Sequence, residues 1–233
     1  MSLPKLTIPT YSVKLYSQKT PIKFRPYTVK EEKVILMALE SNDKVEMFET
    51  MVQLCESCVI NDIDIYDLPL FDLEKLVVAI RSKSVGEEVT FMNKCDHCDS
   101  RTEVSLNIQN MKNKDESGII NKIMLTEDCG VTLKYPSLKS VNLHTEKQNE
   151  ELDDIYKSCI ETVFDKETVY TFDDQSKDEQ ENFINSMTLE MINEINEKFL
   201  SKIPTNYLEL KYKCPACGEN TEKRFDNIIS FFI

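Results

Sequence analysis

The sequence predicts an α+β protein, an N-terminal β-hairpin and helices followed by β-hairpins that carry a split CxxC…CxxC unit of zinc-ribbon type. Three observations carry that expectation. Apolar and polar residues alternate on both sides of "SQKT" near the start, helical apolar spacing runs from Thr28 to Ser84, and two Cys-x-x-Cys pairs each stand between alternating segments.

The elements follow in order. "YSVKLY" and "PIKFR" suit the two arms of a hairpin, and Pro26 ends the second arm. Thr28 stands three residues before Glu31, the spacing of a capping box, so a helix is expected over "TVKEEKVILMALES". Asp43 can cap a second helix with Val45, Phe48, Val52 and Cys55 on one face, and Pro69 opens a third, "FDLEKLVVAIRSKS", ended by Gly86. The period then changes to two: "EEVTFMNK" and "TEVSLNI" flank "CDHCDS". "MKNKDESG" reads as a polar, mobile stretch, "VTLKY" as a short strand, "EELDDIYKSCIETVF" as a helix, "TVYTF" as a short apolar run, and Asp173 to Glu181 as a solvated loop or helix start. A helix over "TLEMINEINEKFL", capped by Thr188, leads to Pro204 and the strands "NYLELKYK" and "TEKRFDNI" around "CPACGE". Helix, strand, CxxC and strand thus occur twice, as an internal duplication or as a coincidence of common parts. Residues 1–86 are expected to form a hairpin plus helical part. Residues 87–233 are expected to form an α+β part with both knuckles and an acidic helical insertion, either apart from the first or continuous with it.

With 233 residues and 41% hydrophobic content the chain can bury a core. It lacks any run of about 18 apolar residues, which excludes an evident membrane helix. The start from Met1 to Pro9 has neither the basic opening nor the apolar middle of a secretory signal, which points to a reducing cytoplasm and to thiols or metal ligands rather than disulfides. The formal net charge is −13. Met1 to Leu36 has seven Lys or Arg against two Glu, whereas Glu146 to Glu181 has thirteen acids against four Lys. The acidic stretch would repel a phosphate backbone, so nucleic acid is not an expected partner. It is either a solvated face or a contact for a basic protein surface.

A tetrahedral zinc site needs four soft donors, and two CxxC turns supply two thiolates each. Cys95, Cys98, Cys214 and Cys217 are therefore expected as the two halves of one site. In "CPACG" the proline stiffens the turn and Gly218 permits the left-handed conformation after the second ligand; in "CDHCD" the equivalent position is Asp99, which tolerates it better than most residues. Each pair could instead be incidental or recruit another thiol such as Cys129. A redox dithiol fits poorly, because catalytic CxxC pairs open helices in βαβ settings. Cys55 and Cys58 have the same spacing on an amphipathic helix and read as buried apolar residues, as do the motif-free Cys129 and Cys159 as structural ones. A closed four-thiolate shell leaves no position for substrate, so the site is expected to staple the fold.

Catalytic signals are scarce. His97 lies inside a knuckle, His144 has no adjacent nucleophile motif, and four glycines leave little from which to build a phosphate loop. No enzyme activity and no small-molecule substrate are expected.

The stretches "LPKLTIPTYSVKLYSQKTPIKFRPYTVKEEKVILMALES" and "LPLFDLEKLVVAIRSKSVGEEV" resemble the T-even-type phage baseplate hub protein family, most specifically in "FRPYTVKEEK" and "IRSKSVGE". The chain departs from the family at "SQKT", where a Pro-Ser-Thr-Gly turn is frequent, and in the acidic stretch. The resemblance implies a non-enzymatic hub subunit or hub assembly factor of a contractile tail. Its place would be the host cytoplasm during assembly and the virion baseplate if retained, with other hub proteins, or a second copy of itself, as partners. Arg25, Arg81 and Lys83 fall in the family-like stretches and are candidates for partner contact. Without the resemblance, the chain would be a zinc-ribbon interaction module binding protein or nucleic acid.

Overall fold

The computed structural model describes residues 4, 6–41, 43–114, 118–140, 148–226 and 228. His144 and most of the closing "IISFFI" lie outside the described residues. The chain divides into two compact units, one of residues 1–114 with 205–233 and one of residues 115–204. This division differs from one at residues 86 and 87, and packing gives the reason. Val78 of the third helix shares one buried cluster with Val104, Leu106, Leu208 and Leu210 of the later strands, so helices and ribbons form a common core.

In the first unit β1 (Tyr11–Val13) pairs antiparallel with β2 (Ile22–Phe24), shorter arms than the alternation suggested. Three helices follow, α1 (Val29–Ser41), α2 (Lys44–Cys58) and α3 (Leu70–Ser84). Their starts are set locally. Glu31 reaches back to accept from the Thr28 amide at 2.7 Å, Asp43 accepts from the Val45 and Glu46 amides, and Pro69 precedes α3. α2 buries a face turned from its predicted stripe: Met47, Met51 and Leu54 join Val52 and Cys55 in the interior, while Val45 and Phe48 are only half-buried. On α3 the fully buried Asp72 accepts from the Tyr16 amide at 2.7 Å and the Ser17 amide at 2.9 Å, so one carboxylate fixes the loop that follows β1.

Two β-ribbons complete this unit. β3 (Glu88–Lys94) pairs with β4 (Arg101–Asn107), and β10 (Thr205–Lys213) pairs with β11 (Asn220–Phe225). β5 (Lys112–Lys114) pairs with the opening of β10, in register Lys114 to Thr205. The stretch read from sequence as mobile is therefore in part a strand. Its "KNK" has no apolar alternation, and only the pairing with a strand some 90 residues later makes it one. The second unit leaves the first at Lys114 and returns at Thr205, directly across that ladder. Length matters little to such an insertion, since each doubling of a loop costs only about 0.6 kcal/mol of closure entropy.

The second unit is a four-stranded antiparallel sheet, β6 (Lys122–Met124), β7 (Gly130–Leu133), β8 (Ile160–Phe164) and β9 (Val169–Thr171) in that order, with α4 (Gln148–Cys159), α5 (Lys177–Asn185) and α6 (Leu189–Lys198). Its core gathers Val131, Leu133, Ile160, Phe172, Ile195 and Phe199. The helix expected to run through "IETVF" stops at Cys159 and the chain passes directly into β8. Ile160, Thr162 and Val163 are β-branched and lose more in a helix than in a sheet. The acidic insertion is thus a sheet with helices rather than helical, and Asp173 to Glu181 enters α5 through a complete capping box of Ser176 and Glu179. This unit holds 20 Asp or Glu against nine Lys, a formal −11 of the chain's −13, which leaves −2 for the first unit. No helix among the described residues is long and apolar enough to cross a membrane.

One buried acid lies beside the β5 and β10 ladder. Glu74 of α3 is 8% exposed and accepts from the Asn206 side-chain amide at 2.9 Å; that amide also donates to the Phe71 carbonyl at 2.6 Å and receives the Asn113 amide at 3.0 Å. Burial raises Glu74 to about 7 against the opposing effect of Asn206. A carboxyl raised on folding stabilises fully below its unfolded value, and that contribution is lost as pH rises through about 7. Glu74→Gln keeps the acceptor and removes the titration. Urea titrations are expected to show the stability difference between variant and wild type shifting in favour of the variant by up to about 3 kcal/mol between pH 5 and pH 8.

Candidate metal centre

Both knuckles arise from the same local chemistry. In the first, the Cys95 amide donates to the Ser100 carbonyl at 2.9 Å and the Asp99 amide donates to the Cys95 carbonyl at 3.0 Å. In the second, the Cys214 amide donates to the Glu219 carbonyl at 2.8 Å and the Gly218 amide donates to the Cys214 carbonyl at 2.9 Å. The residue after the second cysteine is left-handed in each, with φ 59° at Asp99 and 77° at Gly218. These are the backbone positions that the two motifs suggested.

The ribbons hold the knuckles together by face-to-face packing. Val104 and Leu106 of β4 and Leu208 and Leu210 of β10 are buried in one cluster, with Phe91 edge-on to Phe225 at 5.8 Å between ring centres. Each such aliphatic side chain contributes about 1.5–3 kcal/mol when fully buried. Polar contacts then fix the register of the tips. Asn93 donates to the Tyr212 hydroxyl at 2.9 Å, and Lys223 of β11 reaches the Lys94 carbonyl at 2.7 Å and Asp96 at 2.9 Å.

As a result the four sulfurs of Cys95, Cys98, Cys214 and Cys217 lie within 4.8 Å of one another. Cys95 Sγ is 3.9 Å from Cys217 Sγ, and Cys98 Sγ is 3.8 Å from Cys214 Sγ. The edge of a tetrahedron with zinc–sulfur bonds of about 2.3 Å is about 3.8 Å, so the donor set and its spacing fit a four-thiolate metal ion. Cys95 and Cys214 are buried, while Cys98 and Cys217 face outward.

The surroundings favour thiolates unevenly. Cys214 is held down to about 6, first by the Ser100 hydroxyl at 3.4 Å and then by the Cys217 amide. Cys95 is lowered, first by the His97 amide. Cys217 receives the Glu219 amide, which lowers it, yet local desolvation and the Cys98, Cys214 and Cys95 thiols push it up to about 12. Four crowded sulfurs cannot all ionise without a cation among them, and a divalent ion removes that conflict.

The remaining cysteines stand apart from this cluster. Cys55 and Cys58 are buried on α2, where burial raises both, Cys58 to about 11. Cys159 is buried at the end of α4 and likewise raised to about 11 by burial, and Cys129 is partly exposed. His97 is exposed at the tip of its knuckle.

The basic residues singled out from sequence have tasks inside the chain. Arg25 pairs with Glu31 at 2.8 Å and donates to the Ser57 and Pro26 carbonyls. Against desolvation, Arg25 and Thr28 bring Glu31 down to about 2. Arg81 donates to the Gly86 carbonyl at 2.9 Å. Lys83 is exposed, 3.3 Å from Glu87 and 5.8 Å from the Tyr11 ring centre. Sequence reasoning missed the hydroxyls beside the sulfurs, Ser100 at 3.4 Å from Cys214 Sγ and Thr221 at 3.8 Å from Cys95 Sγ, and the residues that brace the knuckle tips, Asn93 and Lys223. Ser100 follows the first knuckle and is a local signal, whereas the other three arrive through ribbon packing.

Fold and site together define an α+β protein whose two β-ribbons meet at a four-cysteine centre. The chain belongs to the T4 bacteriophage base plate protein family, whose model matches residues 8–233. No curated protein and no solved structure matches it.

The left-handed turns give a test of the knuckles themselves. Gly218→Ala is expected to cost about 1 kcal/mol in urea titration, because a Cβ is disfavoured at that φ, whereas Asp99→Gly relieves the same strain and is expected to be neutral or stabilising.

Proposed function

We propose that this chain is a non-enzymatic component of a contractile phage tail baseplate, working as a structural subunit of the hub or as a factor in hub assembly. We further propose that Cys95, Cys98, Cys214 and Cys217 hold a structural zinc ion. The observation that carries the metal reading is the tetrahedral spacing of four sulfurs on two matched knuckles. Four thiolates fill a tetrahedral ion's coordination, so the ion fastens β3 and β4 to β10 and β11 and offers no open position for substrate. Membership of the base plate family supports the assembly role, and the sequence resemblance to hub proteins supports the hub as its place. The partners are then other hub proteins. Lys83, exposed at the end of α3, is the first candidate for contact; Arg25 and Arg81 would shape that surface from within.

Metal content tests the centre. Freshly purified protein is expected to carry about one equivalent of zinc by mass spectrometry of the elements. Cys214→Ser with Cys217→Ser is expected to lose it and to lower Tm by roughly 10 °C or more, since losing several kcal/mol at about 2–4 °C per kcal/mol gives that shift. A metal-free wild type of equal stability would overturn the proposal.

Copy number separates the two hub roles. Quantitative mass spectrometry of mature particles and of assembly intermediates is expected to find a constant whole-number copy per tail for a structural subunit. A chain confined to intermediates is an assembly factor, and absence from both removes the baseplate role.

A further inference from the structure

α1 packs on α2 through one face and turns a second apolar face outward. Ala38 is 2% exposed and Glu31, Ile35 and Leu39 are half-buried, whereas Val29, Leu36 and Met37 are 64%, 53% and 68% exposed. With 3.6 residues per turn, Val29, Lys33, Leu36, Met37 and Glu40 fall on one stripe opposite Ala38. An interior helix face is expected to be apolar; a second apolar stripe on an exposed helix marks an interaction surface.

The charges on that stripe identify what fits it. Lys33 and Glu40 are exposed and form no ion pair among the described residues. They sit at equal distances on either side of the Leu36 and Met37 pair. A two-fold axis passing between Leu36 and Met37 sets an antiparallel second α1 against the first. Leu36 then faces Met37, and Lys33 faces Glu40, each contact made twice by symmetry. Parallel pairing would set Lys33 against Lys33. We propose that the outward face of α1 is an interface between two copies of this chain, antiparallel about that axis.

The charge balance permits this. α1 belongs to the unit that carries only −2 of the chain's −13. Area limits the strength. A single helix face covers a few hundred Å², below the roughly 800 Å² per partner of a standard interface, so dissociation in the range of about 10–100 μM is expected for the isolated chain. Neighbouring binding sites in a larger assembly would raise the effective concentration well above that.

Sedimentation velocity of the full-length chain over about 1 μM to 1 mM tests it, with circular dichroism to check each variant's fold. Wild type is expected to pass from monomer to dimer. Lys33→Glu and Glu40→Lys are each expected to weaken the dimer about tenfold, since every reversal sets two like-charge pairs face to face. The double variant K33E/E40K is expected to return to within about twofold of wild type, and Leu36→Lys to stay monomeric throughout. A monomeric wild type overturns the proposal, as does a double variant no better than the single ones. If the isolated chain stays monomeric while Leu36→Lys blocks its entry into baseplates, the face belongs to a different partner.

Discussion

Everything in the first unit converges on the meeting of two β-ribbons whose tips bear the cysteine knuckles. Face-to-face burial of Val104, Leu106, Leu208 and Leu210 brings together segments more than 100 residues apart, and the sulfurs reach tetrahedral spacing only because that packing fixes the ribbon register. A one-residue slip in either ribbon would turn these side chains to solvent and carry the knuckle tips away from each other. The ladder of β5 on β10 depends on the same arrangement, and with it the point at which the second unit enters and leaves.

That second unit shows how an insertion is accommodated. It is flanked by first-unit residues paired across one antiparallel ladder, Lys114 and Thr205, so the host sheet meets it as it would meet an overgrown hairpin loop. It has its own sheet, core and helix caps, and it concentrates the chain's acidity. The sequence showed the acidity as a run from Glu146 to Glu181; the division of the fold shows it as the property of one folded unit.

Sequence was most informative where a structural requirement is local. Asp43 and Thr188 cap the helices they were expected to cap, the two CxxC turns adopt matched hydrogen bonds, and Asp99 takes the left-handed conformation its position demanded. It was least informative where neighbours decide. "KNK" becomes β5 by pairing, and "IETVF" leaves the helix because β7 and β9 flank it. Arg25 and Arg81, singled out because they fall in the family-like stretches, donate to backbone carbonyls of the chain's own turns, which spacing along the sequence does not show.

By itself, then, the sequence determined the α+β class, the helix starts, both knuckles and the four cysteines worth pairing, because caps, turns and hydrophobic period act over a few residues. Tertiary structure alone decided that the two knuckles share one centre, that Thr221 and Lys223 support it, that residues 115–204 form their own compact unit, and that α1 keeps a second apolar face exposed. Those outcomes rest on contacts between distant segments, whose free energies come from burial and register, and neither can be read from residue spacing along one chain.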